Sequence, residues 1–192
     1  IEYAGKRIGA HCKALGMQFN FAPDIDINTN AQNPIIGNRS FGEDKENVAQ
    51  KGLAFTRGMQ SVGVLGSAKH FPGHGDTAKD SHKTLPTINF TANRLNEVEL
   101  YPFRILSKEV ASVMVGHLNV SSLEPKQGLP SSLSKAIITD LLKTKMHYQG
   151  LIFTDALGMK GVSEYLPVGE VEVEAFLAGN DILLMPANLP KG

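Results

Sequence analysis

The chain has 192 residues, 42% of them hydrophobic, with 19 Lys and Arg balanced by 19 Asp and Glu, and a single Cys. That length buries a sizeable core, zero net charge argues against a nucleic-acid binder, and Cys12 alone permits neither an internal disulfide nor a Cys-based zinc site. No apolar run approaches the ~18 residues of a membrane span. The chain opens on Ile1-Glu2-Tyr3 instead of a Met, so it reads as a piece of something longer whose compartment stays open.

β-rich apolar runs alternate with longer stretches of helical period, the pattern of an α/β fold with a parallel sheet. Ile1 to Leu15 places Ala4, Ile8, Cys12 and Leu15 on one helical face, and Gly16 stops that helix. A strand follows over 18–22, then Pro23-Asp24-Ile25-Asp26. Asp44 begins a helix with Val48, Phe55, Met59 and Val62 as its stripe, leading to a strand over 64–70. Thr91 is the expected N-cap of a helix through Leu95, Val98 and Ile105, kinked at Pro102. A third strand covers 111–115, Ser134 caps a helix carrying Ile137, Ile138, Leu141 and Leu142, and a fourth strand covers 151–154. Residues 171–177 lead past the stop signal Gly179-Asn180 to a fifth strand over 181–185.

Five βα units are too few to close an eight-stranded barrel, which takes about 250 residues, yet a helix at the start implies units upstream. The expected fold is therefore a (β/α)8 TIM-type barrel present as a fragment of about five of its eight units, with residues 1–192 forming one domain. No G-x-G-x-x-G or P-loop sequence follows any strand, so the usual nucleotide fingerprints are absent.

In such folds ligands bind at the carboxyl ends of the strands. The residues there are Asp24 and Asp26, Lys69 and His70, His117, Asp155, and Met185. Any one of them could simply cap a strand; five ends converging on acid, base and cation chemistry is harder to dismiss. The loop from Lys69 to His82 holds three of the six histidines and two glycines, Gly73 and Gly75, that allow tight folding or lid motion. It supports two readings. One is a metal site from His70, His74, Asp76, Asp80 and His82, disfavoured by the lack of H-E-x-x-H spacing and by the neighbouring Lys69 cation. The other is an acid/base dyad in Asp80-Ser81-His82, where the carboxylate orients the imidazole. Asp155 is either a loop cap or a nucleophile on a rigid element. Arg39 is not needed to cap the helix begun by Glu43 or Asp44, which leaves it free to bind an anion or hydroxyls.

Four segments carry a resemblance: 21–26 (FAPDID), 37–44 (GNRSFGED), 69–82 (KHFPGHGDTAKDSH) and 153–159 (FTDALGM). Together they resemble glycoside hydrolase family 3, in its bacterial β-N-acetylhexosaminidase branch, over nearly the whole chain. The resemblance implies a retaining hydrolase that releases terminal β-linked N-acetylglucosamine without cofactor or metal. It implies Asp155 as nucleophile, His82 as general acid/base, Asp80 as its partner, and Arg39, Lys69, His70 and Met159 around the sugar. It further implies three strands upstream of Ile1, one bearing a sugar-binding Asp with no counterpart here, so the fragment alone is expected to be inactive. The expected partner is a glycan or muropeptide, in cell-wall turnover. A β-glucosidase, a glycosyl phosphorylase, a metal-dependent hydrolase and a non-catalytic glycan-binding module are the alternatives.

Overall fold

The computed structural model describes residues 1–77, 85–167 and 169–186. Four parallel strands, β1 (Phe19–Asn20), β2 (Leu65–Phe71), β3 (Ser112–Val115) and β4 (Leu151–Thr154), form one sheet in the order of the chain. α1 (Glu2–Ala14) precedes β1; α2 (Lys45–Gln60), α3 (Ala92–Glu97), α4 (Tyr101–Leu106) and a π-helix (Ala136–Lys145) run between the strands; α5 (Lys160–Ser163) and α6 (Glu170–Leu177) follow β4. Sequential parallel strands with helical crossovers are the arrangement of a partial TIM-type barrel. Among the described residues no helix is long and apolar enough to cross a membrane.

Every residue of β3 is buried, as expected of a strand covered on both faces. The core lies between the sheet and its helices, with Phe71, Val113 and Ile152 from the strands meeting Val48, Phe103 and Ile138 from the helices. A second cluster of Leu133, Leu157, Val162, Val171 and Ala175 seats α5 and α6.

The expected caps form. Asp44 Oδ1 accepts from the Asn47 amide at 2.8 Å, Thr91 Oγ1 from Arg94 at 3.2 Å, and Ser134 Oγ from Ile137 at 3.1 Å. Three expectations need correction. The single helix kinked at Pro102 is two helices, α3 and α4, because proline lacks the amide a helix interior needs and sits instead in the first turn of α4. The apolar face of α1 is not its packed face: Ile8 and Leu15 are exposed, whereas Gly5 and Gly9 are buried. A Cβ on Gly5 would collide with the Phe55 carbonyl, and one on Gly58 of α2 with that of Glu2. The two helices therefore pack backbone to backbone through glycine. Finally, the expected fifth strand pairs with β4 only by a bridge between Phe153 and Ile182. There the Leu184 amide takes the Thr154 hydroxyl instead of a backbone carbonyl, and Met185 turns to a φ of 46° and into solvent.

Candidate active site

A cavity of about 170 Å³ opens at the carboxyl ends of the strands. Its polar walls are Arg39, Lys69, His70, His74 and Asp155, and its apolar walls are Phe21, Ile35, Met114 and Leu184. The five polar side chains arrive from four parts of the fold. The 3-10 turn Gly37–Arg39 supplies the guanidinium, β2 supplies Lys69 and His70, the loop beyond it supplies His74, and the end of β4 supplies Asp155.

Lys69 and His70 are chain neighbours, and alternation along a strand would point them to opposite faces. The register explains why both face the cavity. Lys69 pairs with Met114 and Phe71 with Val115, so His70 is an extra residue in a bulge. The Lys69–His70 peptide is cis.

Beneath these residues lie two buried carboxylates. Asp24 Oδ2 stands 3.3 Å from Arg39 Nη2, and Asp24 Oδ1 accepts from the Asp26 amide at 3.2 Å. Asp26 Oδ2 is 2.7 Å from His70 Nδ1, and Asp26 Oδ1 accepts from the His74 amide at 2.6 Å. Burial, with the Asp26 charge next in weight, pushes the Asp24 carboxyl up to about 7 against the pull of His70 and Arg39. Burial also lowers the His70 imidazole to about 4, so at neutral pH it is uncharged. The Lys69 ammonium is shifted down by burial and then by Arg39, with Asp24 and Asp155 opposing.

Asp155 closes the cavity from β4. Its amide donates to the Val115 carbonyl at 2.8 Å, and its Oδ1 accepts from the Ala156 amide at 2.8 Å. Burial alone would raise this carboxyl. His70, His117, the Ala156 amide and Lys69 together outweigh burial and hold it below the ordinary carboxylate range. Asp155 is thus an ionised carboxylate on a rigid strand end, facing a cavity lined with donors.

Of the residues singled out in the sequence, Arg39, Lys69, His70, His74 and Asp155 converge on the cavity. Met159 is buried in the turn beyond Asp155, at the start of α5, and does not line it. His117 is fully buried and turned into the scaffold, with Nε2 3.0 Å from the Ala156 carbonyl. Met185 is solvent-exposed, and Leu184 takes the place at the cavity that its strand end was expected to offer. Asp76 accepts from Thr29 Oγ1 at 2.9 Å. Asp80 and His82 lie outside the described residues. Phe21, Ile35 and Met114 were not foreseen. Met114 was legible as an apolar residue on a buried strand, but nothing in the sequence says that it faces a ligand.

Asp24, Asp26 and His70 bring one potential metal-ligand atom each within 4.8 Å of one another. These groups are already engaged: Asp24 by the Arg39 cation, and Asp26 by the His70 and His74 amides and the His70 ring. Arg39 supplies the cation beside Asp24 Oδ2, which is buried without a hydrogen-bond partner.

Comparison with known proteins assigns the chain to a family. The model of the glycosyl hydrolase family 3 N-terminal domain matches residues 1–191. The chain belongs to glycosyl hydrolase family 3. It is 38% identical over 190 residues to β-hexosaminidase A of Pseudoalteromonas piscicida, covering 93% of this chain and 32% of that protein. A family 3 β-N-acetylglucosaminidase from Paenibacillus sp. superposes with a TM-score of 0.92 at 44% identity, over 95% of this chain and 35% of that one. A β-glucoside phosphorylase bound to 2FGlc superposes at 0.93 with 28% identity, over 97% of this chain and 35% of that one. The chain thus spans about a third of the length of these proteins. Family 3 membership identifies its four-stranded sheet as part of a TIM-like barrel.

Proposed function

We propose that this chain is the nucleophile-bearing part of a retaining β-N-acetylhexosaminidase that releases terminal β-linked N-acetylglucosamine. The observation that carries the reading is Asp155, held ionised at the end of β4 in a cavity walled by Arg39, Lys69 and His70. The names of its relatives, β-hexosaminidase and β-N-acetylglucosaminidase, favour an aminosugar.

In the first step a carboxylate oxygen of Asp155 bonds to the anomeric carbon as the bond to the departing oxygen breaks. An acid protonates that oxygen. In the second step water attacks the same carbon, the acid, now a base, takes its proton, and the carboxylate is released. His82 is assigned the acid/base role with Asp80 as its partner; a reference pKa of about 6.5 suits an imidazole to both halves of the cycle. Arg39 and Lys69 donate to hydroxyl oxygens of the sugar, and the apolar walls exclude water from its ring. Muropeptides are the natural substrate class we assign, in cell-wall turnover.

The same cavity supports a second reading, because one solved neighbour is a β-glucoside phosphorylase. Phosphate in place of water would release a sugar 1-phosphate from the same glycosyl-Asp. The intact protein is therefore assayed on aryl N-acetyl-β-glucosaminide and aryl β-glucoside, with and without phosphate. Faster turnover of the aminosugar without phosphate supports the hydrolase, and sugar 1-phosphate supports the phosphorylase. Silence on both glycosides sinks the enzyme reading.

A further inference from the structure

We propose that Asp26 is a positioning residue that fixes the tautomer of His70, so that this imidazole meets the substrate as a hydrogen-bond acceptor. The proposal rests on the reading of the cavity as a sugar site and adds to it the polarity that one wall demands of its ligand.

The Asp26 side chain is wholly buried and is not part of the cavity lining. Its oxygens receive the His70 amide at 3.2 and 3.1 Å and the His74 amide at 2.6 Å. A backbone N–H can only donate, so both oxygens are committed as acceptors. Oδ2, which shares the His70 amide, also lies 2.7 Å from His70 Nδ1. With Asp26 ionised the hydrogen in that contact sits on Nδ1, and the Arg39 N–H facing Nε2, which can only donate, calls for the same tautomer. A neutral imidazole carries one N–H, so Nε2 is left with a bare lone pair.

Nε2 lies 3.5 Å from Arg39 Nη2, and both residues line the cavity. The wall then presents donors at Arg39 and Lys69 with an acceptor between them at His70. A hydroxyl, which donates and accepts at once, satisfies such a wall. A group that only accepts, such as fluorine, satisfies the two cations and leaves His70 with only its long 3.5 Å contact to Arg39. Asp26 touches none of the reacting atoms; it acts by deciding which ring nitrogen holds the proton.

Asp26→Asn separates this role from shape. The asparagine oxygen still takes backbone N–H groups, while its NH2 faces Nδ1 and drives the ring hydrogen to Nε2. The acceptor becomes a donor pointed at Arg39.

The test uses the intact protein with 15N-labelled histidine, His70 being assigned by the signals that vanish in His70→Asn. The wild type is expected to show protonated Nδ1 and unprotonated Nε2, and Asp26→Asn the reverse. Kinetics on monodeoxyfluoro aryl N-acetyl-β-glucosaminides supply the second readout. One fluorinated position should lose kcat/KM about 10–100-fold in the wild type, as an unmet polar contact does, and that penalty should vanish in Asp26→Asn. A protonated Nε2 in the wild type overturns the proposal, and so does a penalty unchanged by Asp26→Asn. Should Asp26→Asn fail to fold, the wild-type spectrum decides alone. Should the wild type turn over no glycoside, the sugar-site reading falls, while the spectra still decide the role of Asp26.

Discussion

His117 Nε2 donates to the carbonyl oxygen of Ala156, 3.0 Å away, and so grips the residue that follows Asp155. A carbonyl oxygen can only accept, so the hydrogen is on Nε2. Nδ1 stands 2.7 Å from Ser132 Oγ, while the neighbouring Ser131 Oγ donates to the Gly116 carbonyl at 2.7 Å. The end of β3, the 3-10 turn Ser131–Leu133 and the tip of β4 are thereby locked together. His117→Phe keeps the ring and removes the grip. It is expected to lower kcat about 10²-fold through misplacement of the carboxylate, with KM little changed. A loss confined to KM would argue against this role.

Asp155→Ala is expected to reduce turnover of every glycoside by at least about 10³-fold, as removal of a nucleophile does. Retained activity would dismiss it. His82→Ala should hurt natural leaving groups far more than activated aryl ones, which need little protonation. Equal losses on both would remove His82 as the acid.

Asp24 and His70 titrate in opposite senses across one pH window. Asp24 keeps its proton to about 7 when folded, against 3.8 in the open chain. Its contribution to stability is full below about 4 and lost as pH rises through 7. His70 takes up its proton only near 4 when folded, against 6.5. Its contribution is full above 6.5 and lost as pH falls to about 4. The two effects oppose each other across this window. Asp24→Asn should therefore be more stable than wild type at pH 8 and lose that advantage towards pH 4. His70→Asn should gain stability over the same descent. Melting curves of the three proteins that stay parallel from pH 8 to pH 4 would refute the compensation.

Gly58→Ala places a methyl group against the Glu2 carbonyl at the α1–α2 contact. Overpacking of this kind costs about 1–3 kcal/mol, or roughly 2–12 °C in Tm for a chain this size. An unchanged Tm would mean that the helices can move apart freely.

Because the Arg39 cation already stands beside Asp24 and His70 bonds Asp26, chelation should leave turnover unchanged. Loss of activity in EDTA, restored by a divalent cation, would return the metal-dependent reading to first place.

The strands and their chemical tips were legible because they depend on local pattern. β4 covers the four residues its apolar run predicts, and Asp155 stands directly after it. Arg39, Lys69 and His70 were legible as polar residues at strand ends and turns. What escaped was relational. The burial of Gly5 and Gly9 depends on how close α2 comes, which no periodicity on α1 records. His117 looked like another tip residue, but its burial follows from Ser132 and Ala156, distant in sequence. Met185 and Leu184 exchanged roles because a single positive φ ends the last segment one residue early.

The extra residue in β2 sets a limit on drift. Lys69 and His70 share a wall only while the count between Ser67 and Phe71 holds. Deleting one residue there would restore ordinary zigzag and send one of the two behind the sheet, leaving the other as a lone contact. Substitutions can retune this stretch, whereas a gap in it should be absent from every active descendant.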